Sequence, residues 1–164
     1  MNPAADPEYL GRLLDEHGGV LSLYASQWTD AADDCVQEAL LELVRQRELP
    51  ANVPAWLFRV TRNRAIARAR ARQRRKRHET AASRDVAFEV KGREPEWSTA
   101  DVTAALEQID GDLREVVVAR VWGNLGFEEI AELIGTSLST AHRRYEAGLQ
   151  ALRTQLGVPW TAKK

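Results

Sequence analysis

Residues 50–78 contain no acid and ten basic side chains: Arg59, Arg62, Arg64, Arg68, Arg70, Arg72, Arg74, Arg75, Lys76 and Arg77. Guanidinium groups bind phosphate and carboxylate through paired hydrogen bonds, so a run of this density fits a polyanion. Ten like charges repel one another unless an anion lies nearby. Formal net charge is only -1, so the remaining residues carry -11. Residues 1–49 hold ten acids against three bases. This asymmetry points to a polyanionic partner for one stretch and a different partner for the other.

A second constellation lies further along. Residues 126–145 read GFEEIAELIGTSLSTAHRRY, a short apolar-periodic helix, a glycine turn and a longer helix. In a helix-turn-helix the second helix enters the major groove with its N-terminal residues on base edges. Ser139, Thr140, Arg143 and Arg144 supply the small polar and bidentate groups that this requires. The domain that carries them is acidic, with nine acids against five bases over residues 101–156. Its own non-specific affinity for DNA should therefore be weak, and tethering should strengthen it.

Other chemistry has little to stand on. His17, His78 and His142 are scattered and Cys35 is the single cysteine, so no metal-ligand spacing exists. There is no glycine-rich phosphate loop, nucleophile elbow or paired carboxylate in an apolar setting. The sequence thus predicts a protein that is not an enzyme and needs no cofactor or metal. Cys35 reads as a small core residue. No apolar run is long enough to span a membrane and no signal pattern opens the chain, so a cytoplasmic location without membrane insertion is expected.

Sparse Pro and Gly with abundant Ala, Leu, Glu and Arg favour helix throughout. The pattern predicts an all-α chain of two small helical domains joined by a flexible linker, with domains at 7–79 and 101–156 and the linker at 80–100. Asp6 and Pro7 open a first helix with Leu10, Leu13 and Leu14 on one face, interrupted at Gly18 and Gly19. Thr29 or Asp30 should cap the next helix, whose stripe is Val36, Leu40, Leu43 and Val44. Its other face carries Asp33, Asp34, Gln37, Glu38 and Glu42. After a stiff loop, Pro54 starts a helix that is apolar at Trp56, Leu57 and Val60 and then almost wholly Arg and Ala. That second half has no apolar stripe, so it should face water or a ligand. Ser83, Gly92 and Pro95 mark the linker. In the second domain Val102, Leu106 and Ile109 should line one helix. Leu113, Val116, Val117 and Val121 should line the next, and Ile130, Leu133 and Ile134 the third. Leu138, Ala141, Tyr145, Leu149 and Leu152 should line the last.

The motifs LREVVV at 113–118, EEIAELIG at 128–135 and STAHRR at 139–144 resemble region 4 of the extracytoplasmic-function (ECF, group 4) sigma factors of the sigma-70 family. DDCVQEALLEL at 33–43 is similar to region 2.2 of that family, and PAWLFRVTRNRAIAR at 54–68 to regions 2.3 and 2.4. The resemblance implies a factor that binds core RNA polymerase and directs promoter-specific initiation. Asp34, Gln37, Glu38 and Leu41 would then face the clamp helices of the polymerase's largest subunit. Asn52, Trp56, Arg59, Arg62, Asn63, Arg64 and Arg68 would hold the opened -10 element. Ser139, Thr140, Arg143 and Arg144 would read the -35 element as duplex. Family members are commonly held inactive by an anti-sigma factor, which adds that class of protein to the implied partners beside core polymerase and promoter DNA.

Some positions depart from the family pattern. Ala67 stands where an aspartate is usual, and Ala69 where a leucine is. Gly126 stands where a serine cap is usual, and Gly148 inside the last helix should cost about 1 kcal/mol relative to Ala. Two rival readings fit parts of the sequence. A stand-alone helix-turn-helix regulator would not need the acidic helix, and an arginine-rich RNA-binding adaptor would not need the helix-turn-helix.

Overall fold

A computed structural model describes residues 3–76 and 98–158. All regular structure among the described residues is helical, and the chain divides into two compact units, Met1–Val86 and Ala87–Lys164. This is the expected all-α architecture of two small helical domains. Residues 80–97 of the expected linker lie outside the described residues.

In the first unit, Asp6 accepts a hydrogen bond from the Glu8 amide and caps α1 (Pro7–Leu13). Gly18 and Gly19 do not interrupt the helix as the sequence suggested. A π-helical turn (Leu14–Gly18) carries the chain into α2 (Gly19–Ala25). A Cβ at Gly18 would stand 2.8 Å from Leu14 Cδ1, the end of an exposed side chain that can move aside. The wider turn also resets the face, so Leu13 is buried while Leu14 is exposed. α3 (Ala32–Arg45) begins after Ala31 without a side-chain cap. Thr29 accepts from the Ala31 amide just before the helix, so neither Thr29 nor Asp30 is the cap. α4 (Val53–Lys76) begins where the Asn52 side chain accepts from the Ala55 amide.

Leu21, Tyr24, Leu43, Leu57 and Phe58 form the heart of this unit. Tyr24 meets Trp28 edge-on at 5.2 Å and Phe58 in a tilted contact at 4.9 Å. Cys35 is wholly buried beside Ala25, Ala32 and Ala65, with Trp28 packed on the group. Burial pushes its thiol pKa up, which keeps it an inert core residue.

The second unit contains α5 (Thr99–Gln108), α6 (Gly111–Val121), α7 (Phe127–Ile134) and α8 (Leu138–Leu156). Ser98 and Asp101 make a reciprocal capping box that starts α5 at Thr99. Their hydrogen bonds hold the Asp101 carboxyl below its usual pKa. Asp110 caps α6, and Glu129 reaches back to the Gly126 amide at 2.6 Å. Ser137 caps α8 through the Thr140 amide. Gly135, at φ 66°, ends α7 in the left-handed conformation that glycine adopts at least cost.

Two expected core positions are outside. Val121 and Leu138 are exposed, and Val118, Ala119 and Leu125 are buried in the second unit. Val121 is the last residue of α6 and Leu138 the first of α8, so neither end is covered by the next turn of helix. Gly148 also has a reason that propensity misses. It is buried where α6 crosses α8, and an added Cβ would stand 2.5 Å from Val117 Cγ2 and 3.1 Å from the Leu113 carbonyl.

The Gly148→Ala variant is therefore expected to be less stable by about 1–3 kcal/mol, against the stabilisation of about 1 kcal/mol that helix propensity alone would give. Urea unfolding of the full chain checks the sign.

Candidate nucleic-acid interface

α4 is a split helix. Its N-terminal half buries Leu57, Phe58, Thr61 and Ala65. At 3.6 residues per turn, Arg64, Arg68 and Arg72 continue that same face toward the C-terminus. They meet the acidic edge of α3 in antiparallel register. Arg64 Nη2 lies 2.5 Å from Glu42 Oε2, and Arg64 Nε 3.9 Å from Glu38. Arg68 lies 2.5 Å from Glu38 and 3.9 Å from Asp34. Arg72 lies 3.7 Å from Asp30, just before α3. The sequence suggested that this half of the helix faces water or a ligand. Instead one of its edges faces acids of its own domain, and this relieves part of the arginine self-repulsion. The Glu42 hydrogen bond raises the Arg64 pKa, and the Glu38 bond does the same for Arg68, so both guanidiniums stay charged.

The opposite side of α4 carries Arg59, Asn63, Arg70 and Arg74, all exposed. Among the described residues, none of these arginines makes an ion pair. Arg62 leaves by a flank and lies over the Trp28 ring at 5.7 Å. Trp56 is half-buried in the first turns of α4, and the Asn52 side-chain oxygen caps the helix.

The seven residues expected to hold an opened strand thus separate by role. Arg59 and Asn63 stand on the outward stripe, Arg62 lies against Trp28, and Arg64 and Arg68 pair with α3. The expected polymerase-facing residues Asp34, Gln37, Glu38 and Leu41 share one side of α3 at helical spacing, and Leu41 is 57% exposed. Asp34 and Glu38 are also the partners of Arg68 and Arg64, so the two expected sites meet in one ion-pair network. Sequence reading placed Glu42 on the outer face of α3 and offered Asp30 as a cap, but gave neither an arginine partner, and it gave Trp28 no role. The signal for the acids was present: acids recur every fourth residue at 30, 34, 38 and 42, and arginines at 64, 68 and 72. Nothing in the local sequence marks Trp28.

In the second unit the four expected duplex-reading residues gather at the N-terminal end of α8. The Ser137 hydroxyl lies 3.2 Å from that of Ser139 and 2.9 Å from that of Thr140. Arg143 reaches the Thr140 hydroxyl at 3.5 Å and is exposed. Arg144 lies 3.5 Å from Asp112 of α6. Behind them is an aromatic stack that the sequence did not suggest. Phe127, first residue of α7, stacks on His142 at 3.7 Å and meets Tyr145 edge-on at 5.3 Å, with the Arg120 guanidinium 4.7 Å over its ring. This packing fixes the roll of α8 against α7. Among the described residues there is no group of His, Cys, Asp and Glu able to hold a metal ion, and no helix long and apolar enough to cross a membrane.

Two helical units, one with an arginine-rich helix and one with a helix-turn-helix, define the class as nucleic-acid-binding. Two family descriptions match the chain, "Sigma-70 region 2" over residues 15–75 and "Sigma-70, region 4" over residues 99–152. The chain belongs to the sigma-70 family, among the sigma factors of ECF type. It is 26% identical over 130 residues to RNA polymerase sigma factor SigV of Bacillus subtilis (strain 168), covering 77% of this chain and 76% of that protein. It is 30% identical over 135 residues to ECF RNA polymerase sigma factor EcfG of Rhodopseudomonas palustris (strain TIE-1), covering 79% of this chain and 73% of that one. Its fold is similar to that of the sigma factor RpoE of Bartonella quintana, solved in complex with the anti-sigma factor NepR. The TM-score is 0.76 at 21% identity, over 94% of this chain and 100% of that chain.

The protein is therefore a promoter-directing RNA polymerase sigma factor, with core polymerase and promoter DNA as partners. The stand-alone regulator and the RNA-binding adaptor are set aside.

Phe127→Leu keeps apolar volume and removes the ring contacts. It is expected to cost about 0.5–1.5 kcal/mol in chemical denaturation.

Proposed function

We propose that the two units divide promoter recognition as follows. The α3 side bearing Asp34, Gln37, Glu38 and Leu41 docks on the clamp helices of the polymerase's largest subunit. The exposure of Leu41 in line with these polar residues carries this reading, because an apolar centre with a polar, anionic rim suits a basic partner surface. Arg59, Arg62 and Asn63 take the opened -10 strand, joined by Arg64 and Arg68. Asn52 and Trp56 frame the start of α4, where an extruded base finds a polar edge and an aromatic face. Ser139, Thr140, Arg143 and Arg144 read the -35 duplex in the major groove.

The functional boundaries follow as 7–79 for polymerase and -10 binding and 101–156 for -35 binding, with 80–100 joining them. The chain contributes no catalytic group, needs no cofactor and acts in the cytoplasm. By analogy with the solved RpoE–NepR complex, an anti-sigma factor is proposed as a further partner.

Retention of the full chain by purified core polymerase tests the docking. Gln37→Ala combined with Leu41→Ala should abolish retention while the helical content by circular dichroism stays unchanged. Unchanged retention overturns the α3 assignment. Arg143→Ala should leave retention intact and lower promoter-specific transcription about tenfold, as expected for loss of one bidentate base contact.

A further inference from the structure

The ion-pair ladder between α3 and α4 belongs to neither binding function taken singly. It uses Glu42 and Asp30, which lie outside both candidate sites, and it joins Asp34 and Glu38 of one site to Arg64 and Arg68 of the other. Its members are partly exposed: the side chains of Arg64 and Glu42 are 46% and 35% accessible. Such pairs are weak and exchange partners readily. A phosphate oxygen is an equivalent acceptor for a guanidinium. Carboxylate and phosphate therefore compete for the same arginines.

We propose that α3 is a built-in anionic mask on α4, in which Glu42, with Asp30, Asp34 and Glu38, occupies Arg64, Arg68 and Arg72 in the free chain and withholds them from single-strand phosphates. Arg59, Arg70 and Arg74 lie on the far side of α4 and are not masked. The free chain consequently meets DNA with only part of its cationic surface. Relief of the mask rests on the docking reading above: when α3 seats on a basic surface of polymerase, cations of the partner replace Arg64 and Arg68 as counter-charges of Glu38 and Asp34. The two arginines are then available to the opened strand at the stage where that strand exists. Glu42 is in this sense a positioning residue for Arg64.

The mask can be tested on the free chain alone, which separates it from the docking reading. The probe is a labelled single-stranded oligothymidylate of about twenty nucleotides, which reports backbone contacts without sequence preference. Glu42→Gln is expected to bind it about two- to fivefold more tightly than the wild-type chain, with the log-affinity against log-salt slope steeper by about 0.7, one added phosphate contact. The gain should vanish in the Glu42→Gln, Arg64→Ala double variant. Glu48→Gln makes the same charge change at an exposed acid with no ion pair among the described residues, and should give less of a gain. Equal gains from Glu42→Gln and Glu48→Gln would reduce the effect to net charge and overturn the mask, as would a gain that survives in the double variant.

A second measurement does not depend on the stability of the glutamine variant. Arg64→Ala should lower open-complex formation by the reconstituted holoenzyme by a larger factor than it lowers oligothymidylate binding by the free chain. An equal loss in both states overturns the exchange. Core retention by the Gln37→Ala, Leu41→Ala pair reports on docking alone, so failure of docking and failure of the mask give different results.

Discussion

The first unit depends on one electrostatic constraint. A helix with basic residues at 59, 62, 64, 68, 70, 72, 74, 75 and 76 repels itself and has too little apolar side chain in its second half to be held by burial. The acids of α3 answer both problems. Their four-residue spacing matches the four-residue spacing of Arg64, Arg68 and Arg72, because both helices repeat close to that period. The network aligns the two helices in antiparallel register, and the apolar contacts of Leu57, Phe58 and Ala65 with the core anchor its N-terminal end. Charge pairing adds little stability at an exposed surface, but it occupies the arginines that the buried face of Leu57, Thr61 and Ala65 turns toward α3. The outward stripe is left without ion pairs among the described residues.

The second unit is organised by packing rather than charge. The end proposed to read the -35 duplex carries small hydroxyl side chains around the start of α8, and these cannot hold a helix in place. The Phe127 stack on His142 and Tyr145, and the close crossing of α6 and α8 at Gly148, do so instead. Rigid support behind a polar reading surface is what base recognition needs, since hydrogen bonds to base edges tolerate little misplacement. Gly148, which by helix propensity counts against the fold, is required by the distance between helices. Propensity is a local quantity, and the contact with Val117 spans 31 positions in the chain.

The two units act in one chain. A chain whose acids pair with its own arginines and whose helix-turn-helix domain is acidic should bind DNA poorly by itself. Its affinity should be realised when polymerase supplies the complementary charge and the tether. This accords with a sigma factor, which has to select promoters as part of a holoenzyme.

Much of the molecule was legible from residue order alone. Helical class, the two units, the cap at Asp6 and the glycine turn at Gly135 follow from local rules, in which each residue acts on its own turn of helix; the cap at Asp110 stood where the sequence suggested only a turn. The grouping of Ser139, Thr140, Arg143 and Arg144 follows from helical period. The failures share a cause. The continuous helix through Gly18, the exposure of Leu14, Val121 and Leu138, the tight crossing at Gly148 and the Phe127 stack each depend on what a neighbouring element presents. The largest of them is the ladder. The sequence determined that acids and arginines recur at the same spacing, but only the tertiary structure decided that they face each other. Pairing between helices depends on the roll of each about its axis, and the apolar core sets that roll.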